Sequence, residues 1–198
     1  YAPKGLAARL KAEGERTDAD LVLTVDISRI KELADTGLLA PLASDILNKH
    51  VPSHLRDAND RWTALSLRAR IIAVSKERVG KKAITTIEDL ASPKWQGRVC
   101  SRKGSHVYNR AVLASLIAHN GKEAAKNWTL GLVDNLARRP QGNDRAQAKA
   151  IYSGQCDVAL MNTYYYGKMK FAKDKPEQQK WADSIEIAFF NQDGRGQH

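Results

Sequence analysis

Strand-type and helix-type segments alternate along the chain, and this alternation constrains the fold more than any single motif does. It points to an α/β class with a largely parallel sheet. Ala19–Val25 reads as a buried strand ending at Asp26, and Ser28–Ala34 as a helix stopped near Gly37. Further strands are expected at Arg68–Val74, Gly97–Cys100, Cys156–Leu160 and Ile185–Phe190. Helices are expected over 5–13, 107–119, 122–132 and 144–152, with a short one at 87–90 stopped by Ser92-Pro93. Asp144-Arg145 reads as a helix start with local pairing. No internal repeat or flexible linker appears, so a lobe boundary is expected to fall inside strands. No apolar stretch approaches the roughly 18 residues that span a bilayer. The chain opens at Tyr1-Ala2-Pro3 without an initiator Met and is expected to be processed, trimmed or incomplete.

Charge excludes less than it suggests. Lys plus Arg exceeds Asp plus Glu by ten, giving +10. A basic balance suits nucleic acid, an acidic membrane surface or an anionic ligand. Here the cations are scattered and no basic stripe carries interleaved aromatics, so a solvated surface is expected for most of them, with no nucleic-acid partner. The two cysteines, Cys100 and Cys156, are too few for a disulfide scaffold and lack zinc spacing. In an oxidising compartment a pair can form one bridge. His50, His54, His106, His119 and His198 form no recognisable ligand set. Phosphate-loop, nucleophile-elbow and zinc-protease patterns are all missing, so no enzyme is expected.

The chemical clue is where the tyrosines fall. Tyr108 follows the strand ending at Cys100, at a helix start; Tyr164, Tyr165 and Tyr166 follow the strand at 156–160 in the same way. Open α/β sheets bind ligands at the carboxyl ends of their strands, where helix N-termini favour negative charge. Cys100 precedes Tyr108 by eight residues, and Cys156 precedes Tyr164 by eight. If the two strands are neighbours in register, the tyrosines meet at one rim and the cysteines lie at similar depth, where a disulfide is favoured over two buried thiols. Phenolate suits Fe³⁺, a hard cation that prefers anionic oxygen. Tyrosine normally ionises near pH 10, and a bound cation can reverse that preference. Three phenolates would match three positive charges. Ordinary packing is the plain alternative for any aromatic cluster.

At Asn162-Thr163-Tyr164-Tyr165-Tyr166-Gly167 the chain resembles the periplasmic ferric-binding proteins of iron ABC transporters. The likeness extends through Leu23–Arg29, Asp57–Trp62, Arg68-Ala69-Arg70, Val99–Arg102 with Tyr108-Asn109, Leu136–Arg138 and Pro140–Arg145. The resemblance implies a two-lobed type 2 periplasmic-binding-protein fold with hinge strands, incomplete at both termini. The first lobe would take residues 1–68, the second 69–190, and 191–198 would begin a return to the first. It implies a monomer in the periplasm that binds ferric iron through tyrosinates and delivers it to a membrane permease. Tyr108, Tyr164 and Tyr165 match the iron ligands, and Tyr166 a packing or supporting position. Arg68 matches an arginine that holds a synergistic anion such as carbonate; a hinge salt bridge is its alternative. The competing function is a binding protein of the same fold for a phosphorylated or carboxylated solute, anchored by Arg68, Arg70 and Arg102.

Overall fold

The structure is a computed structural model that describes residues 5–80 and 82–191. The chain divides between Leu67 and Arg68 into two units.

Unit 1 carries three helices, α1 (Leu6–Glu13), α2 (Ile27–Ala34) and α3 (Asp45–His50). Ser44 caps α3, its side chain accepting from the Leu47 amide at 3.4 Å. The turn at Asp57–Arg61 is locked by an ion pair of 2.6 Å, which holds the Asp57 carboxyl down at about 2. Arg61 also donates to the Ala34 carbonyl at 3.0 Å, tying this turn to the end of α2. The strand expected at 19–25 does not form. Leu21 and Leu23 are 75% and 79% exposed, and an apolar groove of about 510 Å³ separates them from Leu6 and Leu10 of α1. A strand exists only as part of a hydrogen-bonded ladder. Among the described residues unit 1 offers 19–25 no strand to pair with, so its β-type composition is not expressed.

In unit 2 Arg70–Ser75, with the apolar run Ile71–Val74 at its centre, forms β1, buried at every position. It is flanked by β3 (Val158–Asn162) and β4 (Ile185–Ala188), with β2 (Val99–Cys100) beyond β3, in the order β2-β3-β1-β4. β2 runs parallel to β3, but β1 is antiparallel to both β3 and β4. The sheet is therefore mixed rather than largely parallel. Burial on both faces produces the same unbroken apolar run whichever way a strand points, so composition does not report direction.

Side chains alternate across the sheet. Ile72, Val74, Val158 and Leu160 pack with α4 (Val107–Asn120) and α5 (Lys122–Asp134) on one face. Ile71, Ala73, Ala159 and Met161 pack on the other with α6 (Asp144–Tyr152), α7 (Thr163–Lys170) and α8 (Pro176–Asp183). Each large apolar side chain buried this way stabilises by about 1.5–3 kcal/mol. The expected last strand ends at Ala188, two residues early, and beyond Asn191 the expected return over 191–198 lies outside the described residues.

Cys100 and Cys156 form a disulfide with Cα atoms 5.9 Å apart. The register beneath it differs from expectation. Cys100 lies opposite Ala159, not Cys156, which precedes β3 and reaches back across the sheet edge. The bridge closes a separation of 56 residues. A loop of that length constrains the unfolded chain strongly, so the Cys100→Ala/Cys156→Ala variant should lose about 2–4 kcal/mol of stability. Guanidinium unfolding of the two proteins checks this, and coincident midpoints would count against it.

Candidate metal centre

Two parallel strands deliver their following segments to one rim. After β2 the chain takes a turn over 101–106 before α4 begins, with His106 at the cap and Tyr108 in the first helical turn. β3 instead passes straight into α7: Asn162 ends the strand immediately before the helix, and Tyr164 and Tyr165 occupy its first turn. The longer turn after β2 compensates for the register offset. The Tyr108 and Tyr164 hydroxyls lie 3.0 Å apart, and the Tyr165 ring stacks on that of Tyr164 at 4.4 Å. Both helix N-termini point their amide dipoles at this cluster, which favours anionic oxygen there.

Cations surround the three phenols. Arg68 Nη1 donates to the Tyr108 hydroxyl at 3.3 Å. The guanidinium groups of Arg68, Arg70 and Arg102 lie 5.7, 5.5 and 5.1 Å from the Tyr108 ring centre. Arg145 sits 5.0 Å over Tyr165 and Lys168 5.3 Å over Tyr164. One fully buried carboxylate, Asp144, balances two of these charges, accepting from Arg70 at 3.0 Å and Arg102 at 2.9 Å. Arg102 Nη2 lies 2.8 Å from His106 Nε2, while the Tyr108 amide points at His106 Nδ1 at 3.2 Å. A neutral imidazole has one acceptor nitrogen, so only one of these is a full hydrogen bond.

Burial, followed by the hydrogen bonds from Tyr108 and Tyr165, pushes the Tyr164 phenol well above its ordinary range. Ionising the middle of three hydroxyls removes a proton that its neighbours share. Burial works to lower Arg102, but hydrogen bonds to Asp144 and Tyr165 outweigh it and hold the guanidinium above its usual value. Burial pulls Arg70 the other way, against its pairing with Asp144.

Arg68, Tyr108, Tyr164 and Tyr165 thus share one site. Tyr166, like Tyr165, also packs, partly buried, on the core face that holds Ile71 and Met161. Among the described residues no group of three His, Cys, Asp or Glu side chains is placed to hold a metal ion. Sequence reasoning missed the role of Asp144, read as a helix start with local pairing. Its carboxylate instead points inward, with no exposed surface, and also accepts from the Asn162 amide at 2.7 Å. Gly142 shapes the turn that enters α6: its φ is +70°, and a Cβ there would meet the Ala146 Cβ at 2.5 Å.

Residues 17–194 match the family of bacterial extracellular solute-binding proteins, and the chain belongs to that family. It is 42% identical over 193 residues to iron uptake protein A1 of Synechocystis, covering 98% of this chain and 53% of that protein. It is 30% identical over 178 residues to the major ferric iron-binding protein of Neisseria meningitidis, covering 87% and 51% respectively. The structure of Trichodesmium IdiA (FutA) with iron and citrate superposes with a TM-score of 0.94 at 41% identity, covering 99% of this chain and 62% of that one. The chain therefore spans about half the length of the two curated relatives.

The shifted phenol gives a test that needs no ligand. The ultraviolet difference between the protein and its Tyr164→Phe variant should stay flat through pH 10, where an ordinary phenol is about half ionised. A difference spectrum that develops at or below that pH would contradict the crowded, hydrogen-bonded placement of Tyr164.

Proposed function

We propose that this chain is the greater part of an extracytoplasmic protein that binds ferric iron through Tyr108, Tyr164 and Tyr165 and delivers it to the permease of an ABC transporter. The observation that carries the reading is the Tyr108–Tyr164 hydroxyl contact at 3.0 Å, with the Tyr165 ring stacked on Tyr164 at 4.4 Å. Three neutral phenols this close have little to gain from one another. A trivalent cation among them changes that: its charge displaces their protons and turns mutual crowding into shared coordination. The iron-related names of the relatives support the same cargo.

Arg68 suits a synergistic anion such as carbonate. It is exposed and forks towards the Tyr108 hydroxyl, leaving donors for a planar anion beside the metal. The competing reading, an anionic solute anchored by Arg68, Arg70 and Arg102, is weakened by the same geometry. Two of those three guanidinium groups each already commit a donor and their charge to Asp144.

Titration with ferric citrate should give a broad visible charge-transfer band saturating near one iron per chain. Binding releases phenol protons, so apparent affinity should fall as pH falls. Tyr165→Phe should remove most of the band and weaken binding by at least the roughly 10–100-fold that loss of a mere supporting partner costs. Unchanged affinity would take Tyr165 out of the ligand set, and a colourless protein would turn attention to a different solute.

A further inference from the structure

Behind the phenols lies a largely buried polar cluster that reaches both tyrosine-bearing helix starts. Asp144, with no exposed surface, takes three hydrogen bonds: from Arg70, from Arg102 and from the Asn162 amide. Arg70 is itself only 5% exposed, and it extends the cluster in two directions. Its Nη1 donates to the Asn162 side chain at 3.1 Å, and its Nη2 to the Asn109 side chain at 2.9 Å. Asn109 in turn donates to Ser101 Oγ and to the Arg102 carbonyl, both at 3.0 Å. Asn109 is next in sequence to Tyr108; Asn162 is the residue immediately before the helix of Tyr164 and Tyr165. Arg102 also lies 5.1 Å from the Tyr108 ring centre.

We infer that Asp144 is a positioning residue of the tyrosine site: through Arg70 and Arg102 it locks the two tyrosine-bearing helix starts at one fixed separation. This inference rests on the proposed function for its iron readout. The argument is about geometry. Two helix N-termini that follow different strands have no covalent reason to hold their hydroxyls 3.0 Å apart. A guanidinium has a rigid planar fork, so a group that binds both Asn109 and Asn162 through it sets their distance. Arg70 is that group, and Asp144 fixes Arg70 by occupying the donor it shares with Asn162. Charge adds to this. Without the carboxylate, two buried guanidinium groups would repel each other beside the Tyr108 ring, where Arg102 already works against Arg70. Arg102 would then follow solvent rather than the Tyr108 ring.

A second, partly buried acid supplies the control. Asp157, at the opposite end of β3, lies between Arg78 at 2.5 Å and Arg98 at 2.6 Å. It has the same one-acid, two-arginine chemistry and no tie to the tyrosines. The test compares Asp144→Asn with Asp157→Asn in the full chain, by two readouts. In the iron-free protein, nuclear Overhauser cross-peaks between the Tyr108 and Tyr164 rings should vanish in Asp144→Asn and persist in Asp157→Asn. With ferric citrate, Asp144→Asn should bind roughly 10–100-fold more weakly, with a displaced charge-transfer band, while Asp157→Asn keeps both. Asn109→Ala, a milder cut in the same cluster, should move both readouts in the same direction and serves if Asp144→Asn does not fold. Cross-peaks that survive in Asp144→Asn, or that are lost equally in Asp157→Asn, would overturn the inference. If the unaltered chain binds no iron, the proposed function falls, and the ring cross-peaks alone still decide the role of Asp144.

Discussion

Arg70 pairs with Asn162 where β1 begins and β3 ends, and the site depends on that antiparallel contact. A strand entering the sheet in this direction brings its first residues to the rim where β2 and β3 finish. Arg68 and Arg70 therefore arrive beside Tyr108 and Tyr164. Had β1 run parallel to β3, the rim would have received Ser75, and both arginines would lie at the far end of a strand of six residues, roughly 20 Å away by the rise of an extended chain. The core holds this arrangement in place. Ile71, Ile72 and Ala73 are wholly buried, and sliding β1 by one residue would exchange the side chains it gives to the two packed faces, setting Ile71 and Ala73 against the partners that fit Ile72 and Val74.

Electrostatics at the rim follow from the same placement. Anionic oxygen is favoured by two helix N-termini and a group of arginines, yet Tyr164 holds its proton more tightly than a free phenol. These facts do not conflict. Burial and phenol–phenol hydrogen bonding act on the hydroxyls themselves, where ionising one puts charge beside neutral oxygens. In the proposed reading a bound cation supplies the opposite charge and reverses that preference. Asp144 tempers the rim by pairing Arg70 and Arg102. Arg68 keeps its charge available at the surface, where a small anion can reach it.

Much of this was legible in the sequence because it rests on local pattern. The tyrosine run after a strand and the helix starts at 107 and 144 are set by composition and capping within a few residues. The meeting of Tyr108 with Tyr164 was also anticipated, although the register argument behind it was incomplete. Cys100 and Cys156 are each eight residues from their tyrosines, which suggested equal depth; in the sheet Cys100 faces Ala159. The hydroxyls still meet because the 101–106 turn takes up the difference, a loop geometry that spacing does not encode. The direction of β1 was not legible, since a strand buried on both faces reads alike forwards and backwards. Nor was the inward turn of Asp144. A helix start rich in Asp and Asn looks the same whether its carboxylate caps the helix, meets water or crosses the sheet edge to two arginines. Only long-range pairing separates these, and Arg70 lies 74 residues away.

The run at 19–25 failed for the opposite reason. Its local signal was strong, but a strand is a property of a pair, and among the described residues unit 1 supplies no partner. Unit 2 differs in kind: both faces of its sheet are covered and its edge is tied by a disulfide. Every phenol and arginine of the candidate site belongs to unit 2. The hydroxyl cluster is thus built by the unit whose own core suffices to hold it, and its geometry does not depend on how 19–25 is ordered. Three phenols leave a hard trivalent cation short of a full oxygen shell. In the proposed reading the remaining positions fall on the Arg68 side, where donors face outward, and an anion held there completes coordination without any further side chain from the sheet.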